Sequence, residues 1–168
     1  SGLFVADVLF YCGEDAQNSL RAGGLPAGYD YDGCDTGTIL NRMSVKNGRI
    51  VLPDGMSYRI MALQGGDRMT PRVARKIREL ADAGATIVGP RPVKSPSLSD
   101  FPRCDEELGK VVENWRVIGD RSIGEVLASL GVRPDFEYTG RRGAQLNFIH
   151  RTIDGADAYF VASPSGRA

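Results

Sequence analysis

Val5-Ala6-Asp7-Val8-Leu9-Phe10-Tyr11 is apolar at nearly every position rather than at every second one. A strand reads this way when both faces of its sheet are covered, as in a parallel sheet. Ser57-Tyr58-Arg59-Ile60-Met61-Ala62-Leu63 reads as a second such strand and Thr86-Ile87-Val88 as a short third. Between the last two, Thr70 suits an N-cap, Pro71 a first helical position and Gly84 the residue past a helix end. Val73, Ile77, Leu80 and Ala81 recur at helical spacing, while Arg72, Arg75, Arg78, Glu79 and Asp82 take the opposite face. Strand, helix and strand within about thirty residues make a βαβ unit, expected to cross over right-handed.

The remaining pattern is looser. Residues 35–43 read as a short helix capped by Asp35, 48–52 as a short strand, and Pro53-Asp54-Gly55 as a turn. Residues 106–115 and 123–130 read as helices, the second ended by Gly131. Residues 145–150 and 158–163 read as two strands joined at Asp154-Gly155, with a rhythm unlike the βα pattern before them. The expectation is an α/β fold over residues 1–144, a three-layer, mostly parallel sheet with helices on both faces. A β-hairpin tail over 145–168 would lead toward an all-β module.

Composition narrows the partners more than the chemistry. The 168 residues suit one domain. Their 42% hydrophobic and 25% charged content is that of a globular protein, and 21 basic residues balance 21 acidic ones. Nothing in that balance recruits nucleic acid or an anionic membrane. No apolar run approaches the roughly 20 residues that span a bilayer, and no signal peptide is visible. The chain opens Ser1-Gly2-Leu3-Phe4 without Met, which reads as an excised piece. Cys12, Cys34 and Cys104 form no CxxC pair and read as small buried thiols; compartment stays open between cytoplasm and periplasm or exterior.

Self-contained chemistry is hard to assemble from these residues. There is no G-x-x-x-x-G-K-[ST] phosphate loop, and one His with scattered cysteines builds no zinc cluster. A calcium loop starting at Asp30 needs Gly at its sixth place and Glu at its twelfth, where this chain has Asp35 and Asn41. Neither a metal nor an organic cofactor is therefore expected. The third core strand runs into Gly89-Pro90-Arg91-Pro92, which offers no nucleophile, and its prolines have no amide for an oxyanion hole. His150 ends a strand-like run with no marked triad partner, and reads as structural or surface. Glu14 and Asp15 follow the first strand at the end where open α/β sheets gather ligands. Adjacent residues on an extended chain point opposite ways, so the two cannot flank one glycosidic bond without a sharp turn. No catalytic residue is assigned.

Taken together, "FVADVLFYCGEDAQN", "LPDGMSYR", "GATIVGPRPVKSPSL" and "FIHRTIDGADAYFVAS" resemble the segment that follows the catalytic barrel in α-L-rhamnosidase-type glycoside hydrolases of family 106. The resemblance implies a domain similar to class I glutamine amidotransferases, flavodoxin-like in layout, and to the trimerisation domain of some β-galactosidases. It also implies that the catalytic carboxylates and a calcium site lie in a barrel before Ser1, and β-sandwich modules after the tail. The family's Gly-Glu-Asp-Ala-Pro-Asn becomes Gly13-Glu14-Asp15-Ala16-Gln17-Asn18 here, a more flexible loop. On this reading the chain is an accessory domain whose partners are the barrel of its parent and a rhamnose-containing glycan. Glu14, Asp15, Asn18, Tyr29 and Asp30 are the candidates to edge the sugar pocket. The runner-up is a free-standing flavodoxin-like small-ligand domain.

Overall fold

The computed structural model describes residues 2–14, 20, 23–64, 66–140 and 146–164. At its centre is a four-stranded parallel sheet, β3-β2-β7-β8, made of β2 (Val8–Tyr11), β3 (Tyr31–Cys34), β7 (Ile60–Leu63) and β8 (Thr86–Val88). Val8 lies beside Tyr31 on one side and Ile60 on the other, and Met61 beside Ile87. Every residue of β2 and β7 is buried, as their unbroken apolar runs require.

Helix α2 (Pro71–Asp82) is capped by Thr70, whose side chain accepts from the Val73 amide. Its Val73, Ala74, Ile77 and Leu80 share a core with Ile39 of α1 (Thr36–Arg42), with Leu108 and Val111 of α3 (Arg103–Val112), and with Leu9, Met61 and Ile87 of the sheet. Arg75 pairs with Glu107 of α3, and the Arg78 guanidinium donates to the Val111 carbonyl at 3.2 Å. The arginine face of α2 is thus partly spent on α3 rather than on water. On the other sheet face, Val8, Phe10, Ile60, Ala62 and Val88 meet Ile123, Val126 and Leu127 of α4 (Ile123–Ser129). Ser122 and Glu125 form a reciprocal capping box at the start of α4.

Antiparallel pairing occupies the other strands. β4 (Ser44–Lys46), β5 (Arg49–Val51) and β6 (Ser57–Tyr58) make one three-stranded sheet; β1 (Leu3–Phe4), β9 (Asn147–Ile153) and β10 (Ala156–Ala162) make another in the order β1-β9-β10. Six of the ten strands among the described residues therefore lie outside the parallel sheet. The expectation of a three-layer, mostly parallel, flavodoxin-like or amidotransferase-like fold does not hold: the parallel sheet is small, and α4 alone of the four described helices packs on its second face.

The physical reason is local. Asn47-Gly48 and Asp154-Gly155 adopt positive φ at both positions (52° and 73°; 51° and 82°), the condition for a two-residue turn that folds a strand back on its neighbour. The long run expected over residues 57–63 is also divided. β6 pairs antiparallel with β5, while β7 enters the parallel sheet next to it.

Candidate functional site

The parallel sheet runs outward from β2 to β3 and then jumps across to β7, so its switch point lies between β2 and β7. Ligands of open α/β sheets gather outside the carboxyl ends of the strands at such a point, where a helix N-terminus favours an anion. Here the chain fills that place with its own carboxylate. Glu14, three residues past β2, accepts from the Thr70 amide at 2.6 Å and from the Thr70 hydroxyl at 2.8 Å. Thr70 in turn accepts from Val73 at 3.4 Å. The two acceptor oxygens of Glu14 are thus held against the first turn of α2.

Beside Glu14 opens a crevice of about 470 Å³ lined by Cys12, Gly13, Glu14, Leu20 and residues 33–37. Its second carboxylate, Asp35, accepts from the Thr38 amide at 2.7 Å as the cap of α1, and that hydrogen bond holds it below the usual carboxylate range. Burial pushes the thiols of Cys12 and Cys34 upward, away from the thiolate a nucleophile needs. Burial raises Tyr11 too, and its hydroxyl is tied to Thr36 at 3.0 Å. After β8, Gly89 (φ 149°) packs its backbone on Leu63: a Cβ there would stand 2.6 Å from that of Leu63. Its amide donates to the Ile118 carbonyl at 2.9 Å and is therefore not free to hold an oxyanion.

The sequence-derived candidates do not converge. Asp15 and Asn18 lie outside the described residues. Tyr29 and Asp30 precede β3, at the amino end of the sheet, across a four-residue strand from Glu14, or roughly 13 Å. Tyr29 donates its hydroxyl to the Val132 carbonyl at 2.9 Å, and Asp30 accepts from the Tyr31 amide at 2.8 Å. Gly28 (φ 84°) anchors the same loop by accepting from the amides of Asp135 and Phe136.

That amino end also holds a polar cluster that the sequence reading missed. His150 is only 6% exposed. Its Nδ1 lies 2.9 Å from one Asp135 oxygen and its Nε2 3.0 Å from Asp157. Tyr159 stacks on the ring at 4.2 Å between centroids and donates to Asp135 at 2.9 Å. Burial, then Asp135, pushes the Tyr159 hydroxyl up to about 12. Burial is also the first cause raising Asp7 and Asp30 nearby, with Asp135 adding to both. The cluster clamps the β9–β10 hairpin to the domain, consistent with the structural reading of His150. Its partner stands fifteen residues earlier in a stretch without regular pattern, so no sequence signal marked it. Among the described residues, no three His, Cys, Asp or Glu side chains are grouped to hold a metal, and no helix is long and apolar enough to cross a membrane.

A central parallel sheet with antiparallel flanks, and a switch point closed by its own glutamate, define an α/β domain. Residues 1–168 match the family model of glycoside hydrolase family 106, described as alpha-L-rhamnosidase, and the chain belongs to that family. It is 36% identical over 169 residues to a protein of Formosa agariphila named putative beta-glucuronidase, covering 96% of this chain and 14% of that protein. It also superposes on the rhamnosidase structure from Novosphingobium sp. PP1Y with a TM-score of 0.82 at 27% identity, covering 96% of this chain and 17% of that one. The chain thus spans about one-sixth or less of the length of these relatives.

Proposed function

We propose that this chain acts as a non-catalytic domain within a larger glycoside hydrolase that cleaves rhamnose-containing glycans, bracing the module that performs hydrolysis. The observation that carries this reading is the Glu14–Thr70 contact. Glycoside hydrolysis ordinarily needs two carboxyl groups free to face the scissile bond, roughly 5–10 Å apart. In the crevice at the carboxyl end, Glu14 is committed to Thr70 and Asp35 to Thr38. The short span of the chain within its relatives supports the same reading, since more than four-fifths of each relative lies outside the match. Catalysis and sugar recognition are then tasks of other modules, with the catalytic module of the same polypeptide as the partner. Glu14 and its loop edge that interface as a positioning element.

The test is turnover of an aryl α-L-rhamnoside by the purified 168-residue chain. No release of the aryl group above the blank is expected. Turnover that co-purifies with the folded chain and disappears in Glu14→Gln would overturn the assignment.

A further inference from the structure

The β9–β10 hairpin is tied to the domain through His150 on one face and carries an exposed apolar row on the other. Directly opposed residues of an antiparallel pair share a face, so Tyr159 with His150, and Val161 with Phe148, lie on the face tied to the domain through His150, with Tyr159 still 42% and Val161 48% exposed at the sheet edge. Phe160 with Ile149, and Ala156 with Ile153, point away. Those outward apolar side chains stand in water: Phe160 is 59% exposed, Ile149 48% and Ile153 38%. β10 is also a sheet edge, pairing only with β9 among the described residues. Soluble proteins usually guard such an edge with Lys, Pro or a bulge. The stretch Ala158-Tyr159-Phe160-Val161-Ala162 has no charge and no Pro, and the strand's one acid, Asp157, is bonded to His150 near the turn.

We propose that β10 and the outward face of the hairpin are the docking surface for a β-rich module of the same polypeptide, which adds a strand to the β10 edge and covers Phe160, Ile149 and Ile153. This rests on the reading of the chain as a domain of a larger hydrolase. An open edge supplies main-chain donors and acceptors that only another extended segment satisfies in register, and the apolar row beside it gives that segment side-chain pockets. The occupant is in cis because the relatives carry more than four-fifths of their length outside the match; a tethered strand acts at a high effective concentration. The clamp of His150, Asp135 and Tyr159 holds the hairpin rigid beforehand, which lowers the ordering cost of docking.

Hydrogen–deuterium exchange of residues 156–162 is measured in the 168-residue chain and in the full-length parent, each with and without Phe160→Glu. In the parent, exchange of β10 should be slower by ~100-fold or more than in the short chain, as for a strand paired on both sides. Phe160→Glu should abolish most of that difference while leaving the melting midpoint of the short chain within ~2 °C, a change small against a single-site core loss. Equal exchange in both proteins overturns the proposal. So does a short chain that dimerises with β10 protected and becomes monomeric on Phe160→Glu, since the occupant would then be a second copy. Failure of the underlying reading shows instead as rhamnoside turnover by the short chain, which these exchange rates do not report.

Discussion

Glu14 and Thr70 meet at the switch point of the sheet, 56 residues apart in sequence, through two hydrogen bonds of 2.6 and 2.8 Å. The contact joins the loop after β2 to the helix after β7, and so locks the relative position of two crossovers. Glu14→Gln keeps the shape but offers one acceptor oxygen in place of two and removes the charge at the helix start. A loss of about 1–3 kcal/mol in urea denaturation is expected, the range for hydrogen bonds to a charged group. Thr70→Ala should cost a similar amount, and the double variant less than the sum of the two. Additive losses would mean that the pair does not interact in solution.

Ile77 is fully buried under the sheet, in the core shared by α2, α3, Met61 and Ile87. Ile77→Ala should destabilise the chain by about 2–5 kcal/mol, with the smaller values if α3 settles into the void. A loss near zero would mean that α2 is not docked on this face.

The hairpin clamp makes a different prediction. His150→Ala leaves Asp135 half-buried without its imidazole partner and removes the ring on which Tyr159 stacks. Leaving a largely buried hydrogen-bonding group without its partner typically costs about 1–3 kcal/mol, and the lost ring stacking adds to it. Tyr159→Phe removes only the hydroxyl bond to Asp135 and should cost about 1 kcal/mol. Chemical denaturation of the two variants should keep this order, and amide exchange in β9 and β10 should rise far more in His150→Ala.

Asp7 tests the electrostatics of the amino end. Its carboxyl is raised above its ordinary 3.8, first by burial and then by Asp135. A carboxyl whose folded pKa lies above its unfolded one binds its proton more tightly in the native state. Stability therefore falls as pH rises from the unfolded value through the folded one. Asp7→Asn, which mimics the protonated group, should raise the denaturation midpoint at pH 7 and leave it unchanged below 3.8. A variant less stable at pH 7 would show that Arg49 and Arg59, which favour the charged form, outweigh burial.

The central βαβ unit was legible without coordinates because each part is specified by residues close in sequence. β7, α2 and β8 stand where the apolar runs, Thr70-Pro71 and Gly84 placed them. The caps of α1 and the turn at Asp154-Gly155 were equally local, and the family was readable from motifs along the chain. β3 was not, because Tyr31-Asp32-Gly33-Cys34 has the composition of a turn and becomes a strand only by pairing with β2. α3 begins at Arg103, earlier than its apolar spacing suggested, and ends at Val112.

The layer arrangement was a matter for tertiary structure. An apolar run says that a strand is covered on both faces, not how many strands share its sheet or in which direction their neighbours run. Three short strands over residues 44–58 and two long ones near the tail pair antiparallel, and this removes the mostly parallel sheet that the βαβ unit suggested. The candidate site divided for the same reason. Glu14, Tyr29 and Asp30 flank two neighbouring strands, yet parallel pairing sends the segment after β2 and the segment before β3 to opposite ends of the sheet. Only the fold brings Glu14 to Thr70, or His150 to Asp135 and Asp157, because the free energy of each contact depends on partners that chain spacing alone cannot set side by side.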